Sequence, residues 1–456
     1  MTKKVYVEAV IVGAGPAGLF AADVLADEGM KVAIVDKGKP MDMRRCPKSQ
    51  ACSCPTCDIL CGAGGAGGFS DGKNTISLTR GTQQENLFPP EAEQIMIDVD
   101  RMVAGLAETE GVQTDGNVSV DPRFNRYGFR FASYPLRHVG SDGIRRWVIN
   151  MQKRLEGKGV QFAYGADVLA IQDGPGGRGI NGVRLMRGSI KSKRVIIASG
   201  LEGSPWLTSE LKRVGASFEP GPAGFAIRLE TSAATLAPLF ETFYDWKMER
   251  GRLRSFCCNH RGEIVNENHA GLAIRNVNGH SFLDPKLKTS SSNAAIMSKI
   301  TTDMVPNPQE TVKLVARTIN NMVGGHTVIQ RTNDFISGRP TGPHDIPEND
   351  PVRTNLQARS GVHIGDGLVG IEGLYEDYVA YLINLDRIVP GVIGEHSFVY
   401  APEVKYYSPR VVMTPDWQVV GVPGLYVIGN ASGYLDSFVA AATSGILSAH
   451  AIIGEN

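Results

Sequence analysis

The chain opens with a nearly uninterrupted apolar run, VEAVIV at residues 7–12, the pattern of a strand buried on both faces. Glycines follow at 13, 15 and 18. Pro16 presets a helical φ, Ala17, Ala21 and Leu25 recur on one helical face, and Gly29 closes the segment before a second apolar run, KVAIVD. Strand, helix and strand in this order predict a βαβ unit. Strand-like runs recur in VQFAYGADVLAIQD and KRVIIASG, and again at residues 425–428, where a turn at Gly429 and Asn430 leads into a small-residue helix from about Val439. Between these lie two segments with helical spacing, TSAATLAPLFETFYDWKMERG and NPQETVKLVARTINNMVGG. GRLRSFCCNHRGEIVNENHAGLAIRNVNG reads as short strands and turns.

Length changes this picture first. At 456 residues the chain exceeds one ordinary core, so two domains, or one with an inserted cap, are expected. Charge removes whole classes of partner. Lysine plus arginine equals aspartate plus glutamate at 47 each, which argues against nucleic acid and against a polybasic membrane anchor. A small organic molecule is the expected partner. The basic and then apolar N-terminus contains Glu8 and runs into glycines, so it reads as a first strand and not as a leader. No uncharged apolar run is long enough to span a membrane, and a soluble, cytoplasmic protein is expected.

The first βαβ unit carries the clearest chemistry. Gly13 makes a tight turn, Gly15 lets backbone N–H groups approach a diphosphate over the start of the helix at Pro16 and Ala17, and Gly18 lets helix and strand pack closely. Asp36, 23 residues beyond Gly13, is placed to accept both ribose hydroxyls of an adenosine. The G-x-G-x-x-G pattern recurs at Gly174, Gly176 and Gly179, where flanking strands predict a hairpin turn. It recurs again at Gly62, Gly64 and Gly67, with no strand before it. Neither recurrence has βαβ context, so no independent NAD(P)H domain is expected.

The C-terminal strand, turn and helix favour FAD over NAD. The segment resembles the second FAD fingerprint of glutathione-reductase-like flavoproteins, with Asn430 where an acid is usual. The positive end of the helix, placed near Thr443, Ser444 and Gly445, would face the flavin pyrimidine. Val168 and the loop Ala198, Ser199 and Gly200 occupy the places that approach adenine and flavin in that fold.

Taken together, GAGPAGLFAA, GAGGAGGFSDGK, FCCNHRGEIVN, QRTNDF, EVKYYSPR and GNASGY…AAATSG resemble the poorly characterised FAD-dependent dehydrogenases related to the geranylgeranyl-reductase and HI-type flavoprotein groups. Lys405, where arginine would be expected, and Asn430 depart from that pattern. The resemblance implies an α/β fold: a discontinuous, Rossmann-like FAD-binding domain of the glutathione-reductase type with an inserted α+β cap. We expect the FAD domain at about 1–45, 134–230 and 396–456, an excursion along the flavin at 46–133, and the cap at 231–395. The residues expected to bind FAD are, besides those above, Lys37, Arg45, Gly65, Gly67, Ser70 and Gly433.

Five of the seven cysteines, Cys46, Cys52, Cys54, Cys57 and Cys61, fall just before the glycine loop. Such clustering suggests a site in a reducing compartment, not a secreted disulfide framework. An iron–sulfur cluster is the leading reading because four thiolates are at hand beside the flavin, although no standard spacing is matched. Zinc, redox-active thiols at Cys54 and Cys57, and idle thiols are the alternatives. Lys73 and Asp71 are candidates near flavin N5 or substrate, and Glu403 and Lys405 could pair across a strand facing the flavin. The expected activity is two-electron transfer between FAD and an organic small molecule, with NAD(P)H, a ferredoxin-like partner or the substrate itself as reductant. A flavin monooxygenase and a flavin–thiol redox sensor or sulfur-handling protein are the alternatives.

Overall fold

The computed structural model describes residues 4–46, 54–84, 86–114, 121–132, 134–177 and 179–455. A five-stranded parallel sheet takes Leu425–Val427, Val195–Ile197, Ala9–Val12, Val32–Asp36 and Gln161–Tyr164 in that order. Side chains of Ala9–Val12 alternate between two cores. Ala9 and Ile11 pack with Leu19, Phe20 and Trp147 on the helical face, while Val10 and Val12 pack with Ile171 and Val183 on the other. Both faces are covered, which is why no polar residue interrupts this strand.

The second face is covered by a four-stranded sheet ordered Lys4–Tyr6, Gly188–Lys191, Ile180–Leu185 and Val168–Asp173. Its last two strands form the hairpin expected around Gly174, whose N–H donates to the Gly179 carbonyl at 3.0 Å. On the first face lies helix Pro16–Asp27, opened by proline in its first turn and stopped by Gly29 at φ 75°. Helix Phe438–Gly454 crosses it closely. A Cβ on Gly445 would come within 2.2 Å of the Ala17 carbonyl oxygen, so glycine is required there for packing.

A seven-stranded antiparallel sheet forms the second layer system, ordered Val328–Arg331, Phe398–Tyr406, Ala223–Ser232, Ser291–Ile300, Leu253–Asn259, Lys247–Arg250 and Arg130–Ala132. Helices Pro308–Met322 and Leu374–Ile388 contribute Val312, Val315, Tyr378 and Leu382 to its core, against Ile227, Leu229 and Ile296. Strands Ala223–Ser232 and Phe398–Tyr406 pair as its third and second members. The helix expected over 231–251 is confined to Ala233–Thr242; beyond it Met248 and Glu249 pair with Phe131 and Arg130 instead.

From this second system a two-stranded ribbon, Glu263–His269 with Ile274–His280, reaches toward the parallel sheet. Among the described residues no helix is long and apolar enough to cross a membrane.

Candidate functional site

A cleft of about 670 Å³ runs from the first β–α turn to the ribbon and the end of strand Phe398–Tyr406. Its floor begins at Gly13. This residue has φ 112°, and a Cβ on it would lie 2.3 Å from the Ala198 carbonyl oxygen. Gly18 packs as tightly, with a Cβ position 2.2 Å from the Gly13 carbonyl oxygen. Gly15 differs: its φ is −78°, and the nearest atom to a built Cβ is the Gly65 Cα at 4.0 Å. The first and third glycines therefore serve packing, and the second keeps the helix start open to the cleft, where Pro16 and Ala17 also line it.

Asp36 stands beside this turn. One carboxylate oxygen accepts from Ala14 N–H at 2.8 Å, and the other from Gly38 and Gly62 N–H at 2.8 and 2.9 Å. Each carboxylate oxygen has two acceptor sites, so the oxygen bonded to Ala14 keeps capacity for one hydroxyl group in the cleft. Lys37, Gly65, Gly67, Ser70, Val168, Ala198 and Gly200 line the same space.

The loop carrying Gly62 to Gly68 is organised by Arg44, which was not singled out for the cofactor. Its guanidinium is fully buried and donates to the carbonyls of Asp58 at 2.8 Å, Ile59 at 2.9 Å, Gly65 at 2.9 Å and Ala63. It also lies 4.6 Å from the centre of the Phe69 ring. Gly62 and Gly68 leave room for it, since a Cβ on either would fall 2.9 Å from its side chain. Burial lowers its pKa to about 10, opposed chiefly by Asp36, so it stays charged at neutral pH. Arg45, the expected cofactor residue, is exposed instead, and its backbone N–H donates to Asp58. One position along this loop reverses inside and outside.

Gly429, packed against Ala17, and Asn430 also line the cleft. The Asn430 amide donates to the Leu435 carbonyl at 2.9 Å, but its Oδ1 is buried and finds no hydrogen-bond partner among the described residues. Ser199 Oγ, also in the lining, is in the same condition. Buried polar atoms are rarely left unpaired, and two such atoms with the open backbone at Gly15 and the acid at 36 fit FAD. The helix that follows begins at Phe438, with Ser437 as its cap accepting from Ala440 N–H. Thr443, Ser444 and Gly445 thus lie inside the helix and do not line the cleft; Ser437, Phe438 and Ala441 do. Ser444 acts indirectly, its Oγ accepting from Gly429 N–H at 2.9 Å. Gly433 is also outside the lining, held at φ 82° against the Pro409 carbonyl.

Of the four expected catalytic side chains, only Lys405 reaches the cleft. Strand Lys73–Thr75 pairs with Leu136–His138 and sends Lys73 toward the second sheet, where its ammonium meets Asp71 and Asp245 at 3.2 Å each and the Cys258 carbonyl. Burial would lower the Lys73 pKa, but Asp245 and Asp71 hold it well above its usual value, so it is a fixed cation and no base. Asp71 is correspondingly committed, with Cys257 Sγ also approaching it at 3.6 Å.

The expected pair between Glu403 and Lys405 is replaced by two others. Glu403 binds Arg228 through two bonds of 2.6 and 2.7 Å in full burial. Lys405 binds Asp436 at 2.7 Å, and Tyr407 O–H donates to the same carboxylate at 2.6 Å. A buried carboxylate favours the two-pronged guanidinium, which leaves the lysine to the acid at the cleft. Asp436 lines the cleft, so a carboxylate is present near Asn430 after all.

The ribbon supplies groups that sequence reasoning missed: Glu267, His269, Asn276 and Asn278 all line the cleft. Their alternation along two paired strands was the available signal. His269 lies between Glu202 at 3.4 Å and Glu267 at 3.5 Å. Burial would lower its pKa, but hydrogen bonds to these carboxylates lift it to about 9. Glu202 also faces Lys37 at 3.7 Å.

The cysteines do not assemble a metal centre among the described residues, where no three histidine, cysteine or acidic side chains are placed to hold an ion. Cys52 lies outside the described residues, and Cys46 and Cys54 are only half buried. Cys57 packs with Ile59 and Val265, while Cys61 lines the cleft. Burial pushes their thiols up to about 11 and about 12, opposite to what a reactive thiolate needs. Closeness in sequence did not become convergence because the apolar wall absorbs one thiol. The iron–sulfur and zinc expectations are therefore not supported.

Residues 6–115 match the model of the FAD binding domain family. An uncharacterized protein of Clostridium beijerinckii is 22% identical over 489 residues, spanning 99% of this chain and 82% of that protein. Among solved structures, L-amino acid deaminase from Proteus vulgaris aligns at 12% identity over 100% of this chain and 95% of that one, with a TM-score of 0.45. Glycine oxidase from Bacillus cereus aligns at 12% identity over 99% and 96%, with a TM-score of 0.46. Likenesses this low add nothing on substrate. Parallel-sheet fold, glycine turn and family match converge on one cofactor: the chain carries an FAD-binding domain.

Proposed function

We propose that the protein is a dehydrogenase or reductase that moves two electrons between FAD and a small organic molecule. The observation that carries this reading is the continuity of the cleft. It runs from Gly15 and Asp36 to a wall of ionisable and amide side chains, Lys405, Asp436, Glu267, His269, Asn276 and Asn278. FAD, held by the glycine turn, Asp36 and Asn430, supplies the two-electron chemistry. The chain's own groups orient the substrate and manage protons. Lys405, anchored by Asp436, retains N–H donors for a substrate oxygen or nitrogen. His269, charged at neutral pH, is a proton reservoir in the same lining.

The test is anaerobic mixing of FAD-loaded protein with a panel of hydroxy, amino and unsaturated compounds while flavin absorbance is followed. Substrate-dependent bleaching is the expected result, and Lys405→Met should slow it about 100-fold with unchanged flavin content. Hydroxylated product formed only with oxygen would overturn the reading in favour of a monooxygenase. Protein that stays colourless after reconstitution would remove its basis.

A further inference from the structure

A second cavity, of about 320 Å³, adjoins the first, and Lys405 and Asp436 line both. Its walls come from the turn at 79–83, the hairpin at 249–254 and two inner strands of the second sheet at Gly224, Met297 and Lys299. The turn is tied to the flavin-facing helix: Gly81 accepts from Asp436 N–H at 3.0 Å, and a Cβ on Gly81 would strike the helix cap Ser437 at 2.4 Å. The two cavities therefore share a rim held in fixed register.

The charge of this cavity is unbalanced. Arg80, Arg252, Arg254, Lys299 and Lys405 face Glu249 and Asp436. Arg252 is neutralised by Asp377, and Lys405 by Asp436 at 2.7 Å. Arg80, Arg254 and Lys299 have no carboxylate at ion-pair distance among the described residues, which leaves three cations against Glu249. Arg254 is half buried, and its charge reaches Asp436 without touching it. A guanidinium in such a place matches a carboxylate or phosphate through two parallel bonds.

We infer that this cavity holds the oxyanion of a small acidic substrate, with Arg254 as the fork and Lys299 as the second cation, so that the reacting carbon is directed past Lys405 and Asp436 into the FAD cleft. The inference rests on the dehydrogenase or reductase reading and names its substrate class. A carboxylic acid and a phosphorylated compound share the required chemistry.

Flavin difference spectra and thermal midpoints of the FAD-loaded protein would be recorded during titration with succinate, inorganic phosphate and the neutral control succinamide. Saturable perturbation by succinate identifies a carboxylate site, by phosphate a phosphate site, and succinamide is expected to be silent. Arg254→Met should weaken anion binding at least about ten-fold, and Arg254→Lys less, at unchanged flavin content. Lys299→Ala, at an exposed position, should weaken it several-fold and serves as the check if Arg254→Met does not fold. Uptake of FAD with no saturable response to either anion, or wild-type affinity in both Arg254→Met and Lys299→Ala, would overturn this inference alone. Failure to take up FAD would overturn the function on which it rests.

Discussion

Arg44 donates to the carbonyl of Gly65 at 2.9 Å, and Gly65 in turn lies against Gly15 across the start of the cofactor helix. A charged side chain from the cysteine segment thereby sets the position of the turn expected to receive the diphosphate. Gly64 N–H adds a bond of 2.7 Å to the Ala14 carbonyl, so the glycine loop and the first β–α turn move as one piece.

Replacement of Arg44 by methionine leaves the carbonyls of Asp58, Ile59, Ala63 and Gly65 without this donor. A buried unpaired acceptor costs about 1–3 kcal/mol, and we expect Arg44→Met to lose at least about 3 kcal/mol of stability and most of its FAD. Arg44→Lys restores charge but not the planar fork and should fall between. Urea unfolding and the ratio of flavin to protein absorbance measure both effects; full flavin content in Arg44→Met would contradict the role assigned to this residue.

Gly13→Ala and Gly15→Ala should separate folding from cofactor binding. At Gly13 a methyl group collides with the Ala198 carbonyl at a φ of 112°, and the protein is expected to be insoluble or strongly destabilised. At Gly15 the methyl group meets only Gly65 at 4.0 Å. Gly15→Ala should therefore unfold near the wild-type midpoint when both lack FAD, while its FAD affinity drops at least about ten-fold. Tight FAD binding by folded Gly15→Ala would show that the diphosphate lies elsewhere.

The buried pair of Glu403 with Arg228 predicts an asymmetric mutational response. Glu403→Ala strands a guanidinium in the core and should cost about 3–5 kcal/mol. Glu403→Gln retains an acceptor and should cost less. Equal midpoints for Glu403→Ala and wild type in urea would show that the pair contributes nothing.

His269 predicts a loss of stability on the alkaline side. Its folded pKa of about 9 lies above the ordinary value of 6.5, so its contribution is full below about pH 6.5 and disappears as pH rises through about 9. The full effect is on the order of 3 kcal/mol. Thermal midpoints of the wild type should fall across this window more steeply than those of His269→Gln. Glu230, raised by burial to about 7, titrates in both proteins and cancels in the difference. Parallel curves would remove His269 from the account.

The turn proposed to hold the cofactor was legible where its physics is local. Gly13, Gly15, Gly18 and Asp36 act through one turn, one helix and one neighbouring strand, and spacing alone orders them. The partners of the candidate catalytic side chains were not. Glu403 and Arg228 are 175 residues apart, and the alternation that puts Glu403 and Lys405 on one side of a strand does not reveal which partners reach them. Arg44 and Arg45 are chemically identical neighbours, and only the packing of Phe69 and the glycine loop selects the one that is buried.

The amino-acid order by itself determined the βαβ unit, its glycine turn and the acid at 36, because short-range sterics and apolar periodicity act within about thirty residues. Only the tertiary structure decided that Lys405 joins Asp436, that His269 rises beside Glu202, and that Cys57 enters an apolar wall. Those outcomes depend on which distant side chains share a desolvated space, where partner geometry and burial, not spacing along the chain, set the energy.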